Sequence, residues 1–499
     1  MAQRDNINRI GFDNTLYLAK QQENIIKRID TFGNKLYLEF GGKLFDDLHA
    51  SRVLPGYDAN SKVKLLGKFT DKAEVIFCIS SRDIVRNKMR ADFGITYSQE
   101  ALRVIDNLRA EGILVSSIVI TLYENDVNVN QYINNLRNRG ENVYLHRTTR
   151  GYPLDVDTIV SDEGYGQNCY IPTTRPLVVV TAPGPGSGKL ATCLNQLYHE
   201  YKRGNRAGYA KFETFPIWNL SLSHPVNVAY EAATADLNDI NVIDYYHQQS
   251  YGISATNYNR DMETFPIVNN ILYRITGKEV YCSPTDMGVN MTGFAITDDE
   301  TCREAARQEV ILRYYRARVD SKMGAESSAL ARLEQLMAQL GINPHDRHCV
   351  LPALEYNRVS HMPITAIQLS SGKIITGKQS ALLTSTSAAL LNALKELAGI
   401  DDDVKLLPEQ VIAPILTLNQ SVYKLTNTMM TLSQVLIALS MSQAYDDNAT
   451  LAMSKLPLLK GCQAHSTCIV TADTSAILAK LGIEHTSEDV FASTALFTQ

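Results

Sequence analysis

The sequence predicts an α/β protein: a mostly parallel, doubly wound sheet with a P-loop-like turn, then a helical region and a C-terminal α+β domain. Three observations carry this. Between residues 11 and 215, six apolar runs of strand length alternate with amphipathic segments, the pattern of strands joined by crossover helices. One of them, Val178-Val179-Val180-Thr181, passes through a glycine-rich turn directly into a helical stretch. Beyond residue 297 the pattern changes to long helical periods, then to a hairpin with further helices.

The expected strands are 35–40, 73–80, 114–123, 142–146, 176–182 and 208–212. Helical periods lie between several of them. After the capping box Thr96-x-x-Gln99, Ala101, Val104, Ile105 and Leu108 fall at i, i+3, i+4 and i+7. Residues 214–297, crowded with Asn, Tyr, Thr, Pro and Asp and weak in periodicity, read as long ordered loops laid over the sheet. Inside them Glu263-Thr264-Phe265-Pro266-Ile267 repeats Glu213-Thr214-Phe215-Pro216-Ile217, which points to two similar strand-end turns, each with a carboxylate.

From Thr297, overlapping boxes Thr297-x-x-Glu300 and Thr301-x-x-Glu304 open a helix. A second helix carries Leu330, Leu333, Leu336, Met337 and Leu340 on one stripe and closes at Gly341. The last third reads as a hairpin, 364–369 and 373–376, with helices at 385–398, 408–421 and 431–457, a strand at 466–471 and a helix at 474–481. The domains expected are therefore 1–298, 299–345 and 346–499, in keeping with 499 residues at roughly 150 per domain.

Composition excludes several classes of function. Hydrophobic residues make up 45% and charged residues 20%, enough for large cores. A net charge of -5 without a basic block removes the footprint of a nucleic-acid or anionic-lipid partner. No apolar run approaches the roughly 20 residues that span a bilayer, and no secretory signal opens the chain, so cytoplasmic residence is expected. Eight scattered cysteines fit reduced thiols.

The sharpest chemical signal is the turn with Gly184, Gly186, Ser187, Gly188 and Lys189. A buried strand running through glycines into a helix that begins with lysine presents backbone N–H groups and a positive dipole end to a phosphate. The match to G-x-x-x-x-G-K-[ST] is imperfect: Pro183 holds the first glycine position, and Leu190 the position of the magnesium-binding hydroxyl. Any magnesium would draw on Thr181, Ser187 or Thr192 instead. Gly41 and Gly42, after the first strand, mark a second tight turn at the edge where open α/β sheets bind ligands. Asp162 with Glu163, and Glu213, are the candidate catalytic carboxylates. All these groups are expected to line one cleft. Cys462 and His465 form a candidate nucleophile and base. No metal site is assigned: His199-Glu200 lacks the second histidine of H-E-x-x-H, and His345, His348 and Cys349 lack a four-ligand spacing.

The string Lys35-Leu36-Tyr37-Leu38-Glu39-Phe40-Gly41-Gly42-Lys43-Leu44-Phe45-Asp46-Asp47, the Thr181 to Lys189 turn, the Ala210 to Trp218 stretch and Lys460-Gly461-Cys462-Gln463-Ala464-His465-Ser466 resemble a family of bacterial proteins of unknown function, over about residues 11–485. That family sometimes carries the label ATP-dependent zinc protease. Here Lys189 fits the first part of the label, and His199-Glu200 fills half of the second.

The leading expectation is an enzyme, a nucleotide-dependent transferase, ligase or hydrolase, that holds ATP or another phosphate-bearing small molecule, with or without magnesium, on the 184–189 turn. The alternatives are a non-catalytic metabolite-binding or assembly scaffold, and a cysteine- or zinc-dependent hydrolase. The helical region favours a homo-oligomer.

Overall fold

The computed structural model describes residues 9–90, 94–325, 328–424 and 428–493. The chain divides into a sheet unit, residues 10–231 with 238–305, and a C-terminal unit that includes residues 306–499.

The sheet unit is built on seven parallel strands: β1 Leu36–Phe40, β2 Ala73–Ser80, β3 Leu114–Thr121, β4 Val143–Leu145, β5 Leu177–Thr181, β6 Gly208–Phe212 and β7 Gly288–Val289. Their spatial order is β7-β6-β1-β5-β2-β3-β4, and every pairing is parallel. β1, β2 and β5 are buried at every position, which is why they read as unbroken apolar runs instead of alternating ones. The edges are made by the shortest strands, β4 with three residues and β7 with two.

Helices α1 Asn14–Thr31, α2 Tyr97–Ala110, α3 Val127–Asn138, α4 Lys189–Lys202 and α5 Asn259–Thr276 cover the sheet. Their starts follow from local chemistry. The expected box at α2 closes in both directions, Thr96 accepting from the Gln99 N–H and Gln99 from the Thr96 N–H, and Asp126 caps α3 by accepting from Asn128 and Val129. α4 is different. It starts at Gly188, in the left-handed region with φ +80°, and no side chain caps it.

The chain order reverses at β5. β2 and β3 run outward from β1 in one direction, whereas β5 inserts between β1 and β2 and its successor β6 lies on the far side of β1. Right-handed crossovers travelling in opposite directions must lie on opposite faces, so the carboxyl end of β5 is the topological switch point, where open α/β sheets leave a crevice. α4 and α5 share one face, and their Cys193, Leu194, Leu197, Phe265 and Val268 join Tyr37, Val178, Val180 and Tyr209 in one core.

Residues 214–297 are not the long loops expected. They hold an antiparallel pair, Asn241–Ile243 with Thr256–Tyr258, and α5, 18 residues long. Pro266 lies inside α5, and that proline is what hid the helical period. The repeat Glu263-Thr264-Phe265-Pro266 is therefore helical, with Glu263 exposed, while Glu213-Thr214-Phe215-Pro216 leaves β6; identical letters take the structure their surroundings impose.

In the C-terminal unit, β8 Ile364–Gln368, β9 Ile374–Lys378, β10 Gln463–Ser466 and β11 Glu484–Ser487 form a mixed sheet in the order β9-β8-β10-β11. Only the β10–β11 pair is parallel. One core joins Ile367 and Ala464 of this sheet to Leu390 and Leu394 of the helix Ser385–Ala398 and to Val435 and Leu439 of Leu432–Ser442. The strand expected at 466–471 lies earlier in the chain, because Thr471 caps the helix Ala472–Lys480, and β11 adds a strand that the sequence reading did not include.

Candidate functional site

Because all seven strands are parallel, their carboxyl ends share one edge. Register places Glu39 of β1 beside Val180 of β5 and Lys211 of β6, so the chain after β1, β5 and β6 emerges side by side. Gly41 and Gly42, Glu213 and the 184–189 turn follow these three strands and lie on that edge.

Its geometry suits an anion. Gly186 and Gly188 have φ +73° and +80°, which L side chains rarely adopt. Ser187 is buried, its hydroxyl donating to the Gly184 carbonyl at 3.0 Å, while Thr121 donates to the Ser187 carbonyl at 2.8 Å. Those bonds fix the turn by its carbonyl groups. Among the described residues, the N–H groups of Gly186, Ser187, Gly188 and Lys189 meet no protein acceptor, and they stand at the head of an uncapped 14-residue helix. Lys189 folds back over the turn, its ammonium 3.5 Å from the Gly184 carbonyl oxygen.

The Gly41 and Gly42 turn is held from below. The buried Lys62 donates to the Gly41 carbonyl at 3.1 Å and pairs with Asp47 at 3.1 Å, and Gly42 takes φ +68°.

Glu213 lies in a charged cluster that the sequence reading did not contain. Lys211 Nζ is 2.7 Å from Glu213 Oε1, reaches both Asp261 oxygens at 2.6 and 2.5 Å, and donates to the Tyr258 hydroxyl. Tyr209, on the same strand, donates to Glu39 of the neighbouring β1 at 2.8 Å. The side chains of Lys211, Glu213 and Asp261 are only 13%, 10% and 10% exposed. Burial outweighs the opposing pull of Lys211 and pushes the Glu213 carboxyl up to about 8, helped by the charge of Asp261 and a hydrogen bond between the two carboxyl groups. Burial works to lower the Lys211 ammonium, but Asp261 and Glu213 raise it well above the ordinary lysine range. The alternation Lys211-x-Glu213 at a strand end was the signal available for half of this cluster; Asp261 arrives from α5, fifty residues on.

Asp162 and Glu163 are not on this edge. Asp162 accepts from Tyr198 at 2.7 Å and pairs with Lys202, both on the far half of α4, about 14 and 20 Å along the helix from Lys189 at 1.5 Å per residue. Glu163 pairs with Arg150 at 2.7 Å, and both carboxylates are exposed. These are solvated ion pairs on the surface.

Cys462 and His465 do not form a couple. Cys462 and Ala464 belong to the apolar core on one face of the C-terminal sheet, whereas His465, an odd number of residues away, turns to the other face. There it contacts Thr486 at 3.0 Å and the ring of Tyr315. Burial pushes the Cys462 thiol up and the His465 imidazole down, away from thiolate and imidazolium alike. His199 meets the Asn168 carbonyl and Glu200 is a buried acceptor for Tyr37, Tyr170 and Asn205, so that pair is structural. Among the described residues, no group of three or more His, Cys, Asp or Glu is placed to hold a metal ion, and no helix is long and apolar enough to cross a membrane.

Comparison with known proteins supplies the family. Residues 10–341 match the model of the domain of unknown function DUF1846, N-terminal, and residues 345–497 match its C-terminal counterpart. The chain belongs to the DUF1846 family. Members similar to it include UPF0371 proteins of Clostridium botulinum strains Alaska E43 (type E3) and Langeland (type F), each 50% identical over 499 residues, covering 98% of this chain and 99% of the relative. The DUF1846 match places the seven-stranded sheet with its carboxyl edge in the N-terminal model, and the four-stranded sheet in the C-terminal one.

Proposed function

We propose that this chain is an enzyme that binds a phosphorylated small molecule, a nucleotide or a phosphorylated metabolite, on the 184–189 turn. One observation carries the reading: four N–H groups without protein acceptors stand at an uncapped helix start, at the switch point of a parallel sheet. In it, Gly186 and Gly188 let the backbone approach the phosphate, and Lys189 swings from Gly184 to neutralise its charge. Leu190 provides no hydroxyl for magnesium, so phosphate charge is met by amides and ammonium.

Calorimetry against a panel of nucleotides and sugar phosphates tests this. Lys189→Ala is expected to weaken the phosphate-bearing ligand at least tenfold, and unchanged binding removes the proposal.

An assembly role is the second reading, favoured by one feature of the C-terminal unit. Ile437, Met441 and Tyr445, spaced by four residues, are 59%, 54% and 64% exposed. In this reading copies of the chain associate through that stripe, and Met441→Glu lowers the sedimentation coefficient.

A further inference from the structure

The edge carries more chemistry than phosphate binding requires. A structural partner for Lys211 would be one carboxylate, yet Glu213 and Asp261 both converge on its ammonium, at 2.7 and 2.5 Å. Two carboxyl groups on one cation leave a proton to be shared. Close by, Asp239 is 2% exposed, gives one oxygen to Arg260 at 2.6 Å, and has no partner for Oδ1 among the described residues. Lys211 and Asp261 both act on its charge, which places this unmet acceptor within the same electrostatic field.

The cluster also stands at a definite distance from the turn. β5, β1 and β6 are neighbours, so the end of β6 lies two strand spacings, about 10 Å, from the end of β5. On the face shared by α4 and α5, Lys189 begins α4 and Asp261 lies in the first turn of α5. Two helix starts therefore flank one stretch of the edge.

We propose that Glu213 and Asp261, held by Lys211, share one proton and act as the general acid–base centre on the distal end of a phosphomonoester whose phosphate lies on the amides of Gly186, Ser187, Gly188 and Lys189. The ligand class rests on the phosphate reading above. The spacing asks for the length of a nucleoside monophosphate or a phosphorylated hexose, not of a phosphorylated triose. In the step, the Glu213 O–H bond breaks and its proton passes to an oxygen or nitrogen of the ligand. The bonding pair stays on Glu213 as carboxylate, 2.7 Å from the Lys211 ammonium, and the reverse transfer restores the acid. Lys211 is a positioning residue; Glu213 is the group that meets the ligand.

The experiment is calorimetry of the full chain near pH 8 with inorganic phosphate, nucleoside monophosphates and hexose phosphates, each in two buffers of different ionisation enthalpy so that exchanged protons are counted. The readout is wild type minus Glu213→Gln, which keeps the shape and hydrogen bond of the protonated acid. Inorganic phosphate, filling the turn alone, is expected to give no difference. An ester that reaches the cluster is expected to give a difference of up to one proton, with phosphate affinity kept within twofold. Ester binding with identical proton exchange in both proteins overturns the centre and leaves the phosphate site standing. Should no probe bind, or Lys189→Ala bind them all as the wild type does, the phosphate site falls. The centre is then decided by carbon-13 titration of the Glu213 carboxyl: a transition near pH 8 that Asp261→Asn displaces keeps it, and a carboxylate already formed at pH 6 removes it.

Discussion

Lys211 and Glu213 leave the same strand two residues apart, and the ammonium of the first lies 2.7 Å from a carboxyl oxygen of the second, with both side chains almost wholly buried. Such a pair is usually read as a salt bridge. Here Asp261 already balances the lysine, and the raised Glu213 carboxyl makes the cluster a proton store at the carboxyl edge of the sheet.

Stability should fall as pH rises through this group. The folded state keeps the Glu213 proton up to about pH 8, while the unfolded chain loses it near the ordinary 4.5. Between those values the folded state binds the extra proton, so its contribution is fully present below the unfolded value and is lost as pH rises through the folded one. One such group gives a slope of up to roughly 1.4 kcal/mol per pH unit. Urea unfolding of wild type and Glu213→Gln from pH 5 to 9 should show the slope only in the wild type.

Removing the cation should cost far more than neutralising the acid. Lys211→Met leaves Asp261 buried and unpaired, a loss of about 3–5 kcal/mol. Glu213→Gln at pH 6 should change stability by less than about 1 kcal/mol, since it replaces a neutral group by a neutral group of equal size. Equal losses for the two variants in chemical denaturation would place Glu213 as a charged partner.

Gly188→Ala should damage the turn. The added Cβ would sit 2.9 Å from Thr121 in a backbone conformation of φ +80°, a combined cost of about 1–3 kcal/mol. Thermal unfolding should show the loss, and phosphate-ester affinity should drop with it; Gly204→Ala, at φ +79° with nothing near its Cβ, supplies the control for backbone strain alone.

Glu200→Ala separates structure from binding in α4. Its carboxylate accepts from Tyr37, Tyr170 and Asn205 at 2.8, 3.0 and 2.8 Å, so its removal strands those donors and should cost about 3 kcal/mol. Calorimetric affinity at the other end of the helix should hold within twofold at temperatures where the variant is folded.

Thiol labelling of the native protein should mark Cys169 and Cys282, the exposed cysteines, well before Cys462. Mass spectrometry after brief alkylation at pH 8 checks this. Rapid selective labelling of Cys462 would revive a nucleophilic role that its packing argues against.

How much of this was legible depended on where the information sits. The central strands could be read because strands buried on both faces must be continuous runs such as Leu177-Val178-Val179-Val180; Gly288–Val289 is too short to carry a period. The glycines at 184–188 announced their own backbone conformation, so the turn was legible too. α5 was not, because Pro266 interrupts a helix that tertiary packing maintains. The partnership of Glu213 with Asp261 crosses half a hundred residues and exists only once the sheet has formed. Asp162 with Glu163 erred the other way: adjacent carboxylates look like a site in a string of letters, yet Lys202 and Arg150 hold them on the surface.

The two ends of the large sheet have a bearing on whether another chain could extend it. β4 and β7 close it with three and two residues, so scarcely any strand backbone is left to template another chain. Continuation of one sheet into the next, the commonest route by which parallel arrays grow into fibres, is thereby denied a starting ladder. Any recognition through this sheet must be written in side chains.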